Sequence, residues 1–224
     1  MANPQLWTDA HQRVLALGDA ITAEQSETTV PATPDWTVRQ LLAHMTGVTT
    51  DALAGAGADD VSDEWTAKHV LERADASLAD ILAELRGNGD GVERLLADAP
   101  ASTAAGLATD LTTHEQDLRG AIGEPGARDE SVQAGMDLYV HLLGAKVRER
   151  DLPAIEMRAG EWIAVAGEGD PQVIVKADAF ELCRALSGRR SADQVREFDW
   201  VGDAEPYVEI FGAFGRLRPT DLVE

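Results

Sequence analysis

The chain has 224 residues, 44% of them hydrophobic, which suffices for one large domain or two small ones. Its 40 acidic and 19 basic residues give a formal net charge of −21, which disfavours nucleic acid and anionic membrane surfaces as partners. No apolar run reaches the roughly 18 residues of a membrane span, and no secretory leader is evident. Cys183 is the only cysteine, so no internal disulfide can form. Together these features lead us to expect a cytoplasmic protein.

Helical periodicity begins at the N-terminus. We predict a first helix over about 4–25, with Asn3 as its N-cap and Pro4 at the first helical position. A connection with two prolines follows, and a second helix begins at Thr37, which forms a capping-box pattern with Gln40. The expected buried stripe of this second helix consists of Val38, Leu41, Leu42, Met45 and Val48.

A long apolar stripe predicts a third helix from about Ser62. The three-four spacing runs without a gap from Ala67 to Leu85, and the glycines of RGNGDG, residues 86–91, predict a kink or break. Glycine costs about 1 kcal/mol in a helix interior relative to alanine. A fourth helix covers 107–122 and is closed by Gly123 and Pro125.

A fifth helix is predicted over 129–149, and the pattern changes after Pro153. Short, partly alternating segments predict strands at 154–160, 161–167, 171–178 and 197–203, with helices over 177–188 and 204–215. Helices followed by strands predict an α plus α+β protein. Residues 1–150 would form a helical domain, with a bundle over 1–126 and a bridging helix over 129–149, and residues 151–224 would form a small α/β domain.

Two of the five histidines lie near predicted buried stripes. His44 follows Leu41 by three residues, and His114 has Asp110 one turn before it and Asp117 about one turn after it. A buried neutral histidine bonded to an aspartate would satisfy this pattern. A metal site in which His44 joins Asp110 and His114 around a divalent ion would satisfy it as well. The spacing alone leaves both interpretations open.

The remaining histidines and the cysteine receive simpler interpretations. His69 and His141 lie opposite the apolar stripes of their helices, so we predict that both face solvent. His11 has no acidic or histidine partner at helical spacing. Cys183 falls on the apolar face of its helix and is predicted to be an inert core thiol.

Three segments resemble a known family. PDWTVRQLLAHMTGV around His44 and ATDLTTHEQDLRGAIGEPGARD around His114 resemble the two signatures of the mycothiol-dependent maleylpyruvate isomerase family, within the DinB-like metal-binding superfamily. VKADAFELCRALSGRRSADQVREFDWVGD resembles the small C-terminal domain of family members. The resemblance implies an N-terminal DinB-like four-helix bundle followed by a small sterol-carrier-like α/β domain.

The resemblance also implies roles for individual residues. His44 takes the place of the first imidazole ligand of a metal, His114 that of the second, and Asp110 that of the carboxylate, where the characterised isomerase has a longer glutamate. Asp117 would orient a ligand histidine or pair with a cation. Arg216, in GAFGRLRP, matches the arginine that the family's C-terminal domain contributes to the substrate site.

The implied chemistry needs a divalent metal, with zinc preferred, and mycothiol as thiol cosubstrate. A metal-held thiolate can add to an electrophilic alkene, which is followed by rotation and elimination in an isomerase, or it can stay attached in an S-transferase. The implied partners are a small-molecule electrophile and a low-molecular-weight thiol, in a monomer or homodimer. Two alternatives stay open: a non-catalytic module that binds metal and a small ligand, and a hydrolase that uses metal-activated water.

Overall fold

A computed structural model describes residues 4–56, 62–128, 130–215 and 217–224 of the chain. Packing divides the protein into two compact units, of which the first ends at Ala127 and the second runs from Arg128 to Val223. Within the described residues, each helix is too short or too polar to cross a lipid bilayer.

The first unit is helical. Its helices are α1 (Pro4–Ala20), α2 (Ala23–Ser26), α3 (Val38–Leu53), α4 (Asp63–Glu72), α5 (Leu78–Asp98) and α6 (Ala101–Ile122). The four long helices, α1, α3, α5 and α6, form a closed bundle, because α1 contacts both α5 and α6 and α3 contacts the same two. The core between them contains Trp7, Val14, Leu41, Leu42, Ile81, Leu85 and Leu118.

Local capping fixes the two helices that matter for the site. At the start of α3, Thr37 Oγ1 accepts from the Gln40 backbone N–H, and Gln40 Oε1 accepts from the Thr37 backbone N–H, as the capping-box pattern predicts. Helix α6 ends at Ile122 and is capped by Gly123, whose φ of 73° is the left-handed conformation that favours glycine. These two signals set the start of α3 and the end of α6.

The first predicted helix is divided in the structure. Helix α1 ends at Ala20, and the short α2 begins after Thr22, which forms its own capping box with Gln25. This local hydrogen bonding ends the continuous helix that apolar spacing predicts over 4–25. The predicted N-cap, Asn3, lies outside the described residues.

The predicted break at RGNGDG is wrong. Helix α5 runs without interruption through residues 86–91, and the chain breaks earlier, between Arg73 and Ser77, where Ser77 caps α5. Gly89 faces the imidazole of His11, and a Cβ added there would lie 2.8 Å from His11 Cε1. That glycine therefore permits a close approach of α5 to α1 and does not end the helix.

The second unit carries a mixed sheet. It contains α7 (Glu130–Glu149), β1 (Ile155–Ala159), β2 (Trp162–Ala166), β3 (Val173–Lys176), α8 (Ala179–Leu186), α9 (Ala192–Arg196), β4 (Asp199–Val201) and α10 (Glu205–Val208). The strand order is β2-β1-β3-β4, with β1 and β3 parallel and the two outer pairs antiparallel. A helical N-terminal region followed by a small mixed-sheet domain confirms the predicted fold class.

Helix α7 packs with the sheet. Five residues at helical spacing form its buried stripe: Val132, Met136, Tyr139, Leu143 and Val147. They share one core with residues of β1, β3 and α8, and α7 contacts β2 and α8. The predicted domain boundary at residue 150 falls at the end of α7, whereas packing divides the chain before this helix, because the apolar stripe needs the sheet to cover it.

Candidate metal centre

Three polar side chains meet inside the helical unit. They are His44 of α3 and Asp110 and His114 of α6, and one ligand atom from each lies within 4.8 Å of the other two. The Nε2 atom of His44 is 3.9 Å from Asp110 Oδ1, and the Nε2 atom of His114 is 3.7 Å from the same oxygen. These are the three residues for which the sequence leaves a metal site open.

The bundle explains why they meet. Asp110 and His114 are four residues apart on α6 and so share one helix face, which packs against α3. His44 lies two turns into α3, and its ring centroid is 4.9 Å from that of His114. Both imidazoles are buried, whereas the Asp110 side chain is 30% exposed, so solvent reaches the cluster from the carboxylate side.

Asp117 lies behind His114, on the side away from Asp110. Its carboxylate is fully buried, and Asp117 Oδ2 is 2.9 Å from His114 Nδ1. We assign the proton of this contact to Nδ1 of His114, with the carboxylate oxygen as the acceptor. That tautomer leaves the lone pair on Nε2, the nitrogen that faces Asp110.

Burial and aromatic neighbours shape the environment of His44. Burial lowers the pKa of His44 below its ordinary value, and the nearby Asp110 carboxylate opposes this shift only in part. The Trp36 ring centroid is 4.9 Å away, and the Trp65 ring meets the imidazole edge-on at 6.2 Å. A neutral imidazole, the form that binds metals, is thus favoured near neutral pH.

The donor set fits a divalent ion. Ligands of a tetrahedral zinc lie about 2.0–2.1 Å from the metal and therefore about 3.3 Å from one another. The 3.7 and 3.9 Å separations around Asp110 exceed that spacing by less than 1 Å. The 4.8 Å limit for the whole set exceeds it by about 1.5 Å, so metal binding would need the side chains to move closer together. Both separations around Asp110 also exceed the usual length of a hydrogen bond. Two imidazoles and one carboxylate are donors that suit zinc and other first-row ions.

The alternative interpretation, a buried neutral histidine hydrogen-bonded to an aspartate, accounts for only part of the cluster. The pair His114–Asp117 matches it, with a short contact between buried groups. The convergence of Asp110 with the Nε2 atoms of His44 and His114 is the arrangement that would suit a cation between them.

The prediction that His69 faces solvent is wrong. His69 is fully buried, with its Nδ1 atom 3.2 Å from His44 Nδ1 and its Nε2 atom 3.1 Å from Asp51 Oδ2. The apolar stripe misled the assignment, because Leu71 on that stripe is 76% exposed. The signal that could have found His69 lies on α3, where Asp51 and the small Gly47 stand on the side that α4 covers.

The other predicted residues lie outside this cluster. His11 is buried, stacked on Trp7 and bonded to the Leu85 carbonyl, whereas His141 is exposed as predicted. Burial raises the pKa of the Cys183 thiol to about 11, consistent with the inert core thiol that we predict. Arg216 lies outside the described residues, so its predicted role in substrate binding stays a prediction.

Comparisons with known proteins support the fold. The family model described as the mycothiol maleylpyruvate isomerase N-terminal domain matches residues 7–124. The crystal structure of the mycothiol-dependent maleylpyruvate isomerase is similar with a TM-score of 0.61 and 13% identity, covering 83% of this chain and 88% of that chain. A histidine-to-alanine mutant of the mycothiol-dependent maleylpyruvate isomerase gives a TM-score of 0.60 at 12% identity, with the same coverage. No curated protein matches the chain.

Proposed function

The chain belongs to the family of the mycothiol maleylpyruvate isomerase N-terminal domain, and we propose that it is a metal-dependent enzyme that uses a low-molecular-weight thiol. The substrate would be a small electrophile, the thiol mycothiol and the metal zinc. The observation that carries the proposal is the convergence of His44, Asp110 and His114, whose ligand atoms lie within 4.8 Å of one another.

The three side chains would bind the ion and leave part of its coordination shell open. His44 and His114 would each offer Nε2, and Asp110 would offer a carboxylate oxygen from the side that solvent reaches. A divalent ion held this way lowers the pKa of a bound thiol and so supplies a thiolate near neutral pH. Two neutral imidazoles and one carboxylate leave the loaded site with a net positive charge, which favours an anionic sulfur.

The surrounding residues would hold this geometry. Asp117 fixes the ring of His114 through the contact with Nδ1, so that Nε2 keeps its lone pair. Trp36 covers one side of His44 and Trp65 stands at its edge. These rings keep water away from the buried side of the site, which strengthens electrostatic interactions there.

Two outcomes are open to a thiolate at this site. Addition to an electrophilic alkene forms a sulfur–carbon bond and moves the π electrons of the alkene onto its carbonyl group. Rotation about the carbon–carbon bond that was the alkene can then follow. Elimination breaks the sulfur–carbon bond, returns its electron pair to sulfur and restores the alkene, so an isomerase consumes no thiol. An S-transferase keeps the sulfur–carbon bond and consumes one thiol in each turnover.

Thiol consumption measured together with product formation tests the proposal. Zinc-loaded protein is mixed with mycothiol and a panel of electrophiles that includes maleylpyruvate. Turnover should require both zinc and thiol, and the amount of thiol lost per product should identify an isomerase or a transferase. His44→Ala and His114→Ala should lose metal and activity together, whereas the exposed His141→Ala serves as the matched control.

Other outcomes would select another function. Turnover of an ester or amide by the zinc-loaded protein without thiol would indicate a hydrolase that uses metal-activated water. Tight zinc binding with no turnover across the panel would indicate a binding module. If zinc binds equally well to the wild type and to His44→Ala, the proposed ligand set is wrong.

A further inference from the structure

A third imidazole and a third carboxylate lie behind His44. The ring of His69, from α4, is fully buried between His44 and Asp51. Its Nδ1 atom is 3.2 Å from Nδ1 of His44, and its Nε2 atom is 3.1 Å from Oδ2 of Asp51. A continuous chain of polar contacts therefore runs from Asp51 through His69 to His44, whose far nitrogen, Nε2, faces Asp110.

Asp51 anchors the far end of this chain. Its carboxylate also accepts hydrogen bonds from Trp65 Nε1 at 2.8 Å and from Lys68 Nζ at 3.2 Å. Burial by itself raises the pKa of Asp51, but the hydrogen bonds from His69, Lys68 and Trp65 outweigh it and hold the pKa below its ordinary value. Asp51 is therefore an ionised group that accepts hydrogen bonds and donates none.

The Asp51 carboxylate determines which atom donates in the Asp51–His69 and His69–His44 hydrogen bonds. Because Asp51 can only accept, Nε2 of His69 is the donor of that contact. A neutral imidazole carries one proton, so Nδ1 of His69 is then an acceptor. The contact between the two Nδ1 atoms therefore needs a proton on His44, which leaves the lone pair of His44 on Nε2.

The space for His69 is built into α3. Gly47 follows His44 by one turn, and a Cβ added to Gly47 would lie 2.3 Å from His69 Cγ. A larger residue at this position would push the imidazole out of contact with His44. Arg73 Nη1 donates to the His69 carbonyl at 3.2 Å and holds the end of α4 in place.

We propose that the Asp51–His69 pair positions His44 by fixing its Nδ1–H tautomer, which aims the Nε2 lone pair at Asp110. Asp117 does the same for His114 directly, so each imidazole of the candidate metal centre is held by a buried acceptor on the side away from Asp110. The inference adds to the proposed function, on whose metal site it rests, but the tautomer of His44 can be measured in protein without metal.

Nitrogen-15 NMR of the histidine rings tests the tautomer. In metal-free wild-type protein, His44 should carry its proton on Nδ1. In His69→Phe, which keeps a ring but removes the acceptor, the His44 signals should move toward a mixture of tautomers. His69→Gln restores an acceptor and a donor on one side chain, so it should keep His44 closer to the wild-type state. A wild-type His44 protonated on Nε2 would overturn the proposal, whether or not any variant folds.

Zinc affinity gives the second readout. A partner of a ligand histidine typically contributes 10–100-fold to metal affinity, so His69→Phe should bind zinc about 10–100-fold more weakly than wild type. His69→Gln should recover part of that loss, and the exposed His141→Phe should show none. Unchanged zinc affinity in a folded His69→Phe would contradict the positioning role. If the wild type binds no zinc, the proposed function fails, while the NMR result still decides the tautomer.

Discussion

Removal of the Asp117 acceptor should weaken metal binding without removing a ligand. Asp117 is fully buried, and its Oδ2 atom is 2.9 Å from the Nδ1 atom of His114. In Asp117→Ala this contact is lost, and the His114 ring is free to rotate or to move its proton to Nε2. We expect zinc affinity to fall about 10–100-fold, which corresponds to about 1.4–2.7 kcal/mol.

A graded series makes this prediction sharper. Asp117→Asn keeps a neutral acceptor in nearly the same place, so its loss should be smaller than that of Asp117→Ala. Removal of the ligand itself, in Asp110→Ala, should cost more than either change. Asp98→Ala, an exposed acid at the end of α5, controls for the loss of one negative charge.

Competition with a chromophoric zinc chelator at pH 7 measures these affinities, and circular dichroism verifies that each variant is folded. The expected order of affinity is wild type and Asp98→Ala first, then Asp117→Asn, then Asp117→Ala, then Asp110→Ala. If a folded Asp117→Ala binds zinc as tightly as Asp98→Ala does, the argument that Asp117 orients His114 is refuted.

Two further predictions concern the helical packing and the buried thiol. Gly87→Ala has open space around the added Cβ, so it should raise the free energy of unfolding by about 0.5–1 kcal/mol. Gly89→Ala places a Cβ 2.8 Å from His11 and should lower the free energy of unfolding by about 1–3 kcal/mol. Urea titrations measure both changes. Equal effects of the two changes would count against the close approach. Because the pKa of Cys183 is raised to about 11, iodoacetamide should modify it only in unfolded protein. The same shift gives stability that is fully present below about pH 9.0 and is lost as the pH rises from there through about 11. Unfolding titrations at stepped pH that show no greater loss of stability in the wild type than in Cys183→Ala would refute this.

The sequence predicts the residues of the candidate site better than it predicts their surroundings. His44 and His114 stand near strong apolar stripes on long helices, and the Thr37 capping box fixes where α3 begins. Periodicity of this kind determines which face of a helix is buried. The contact between α3 and α6 then brings Asp110 close to both imidazoles.

Apolar periodicity does not predict the burial of His69. Helix α4 has ten residues, and its most buried side chain is a histidine, because the partners of that side chain come from α3. A pattern of apolar residues within one helix does not show that a neighbouring helix offers a carboxylate and a glycine-sized gap. The glycines of α5 are a second example. Gly89 allows α5 to approach the imidazole of His11 closely, and the sequence around Gly89 does not show this contact.

The most direct test of the central claim is a thiol titration of cobalt-loaded protein. Cobalt can replace zinc at such sites, and a thiolate that binds it produces a sulfur-to-metal charge-transfer absorption in the near ultraviolet. We predict that mycothiol produces this absorption in the wild type with one ion per chain, and that His44→Ala and His114→Ala lose it together with the metal. If cobalt binds through His44, Asp110 and His114 but mycothiol leaves the spectrum unchanged, the thiol does not bind the ion and the proposed function is wrong.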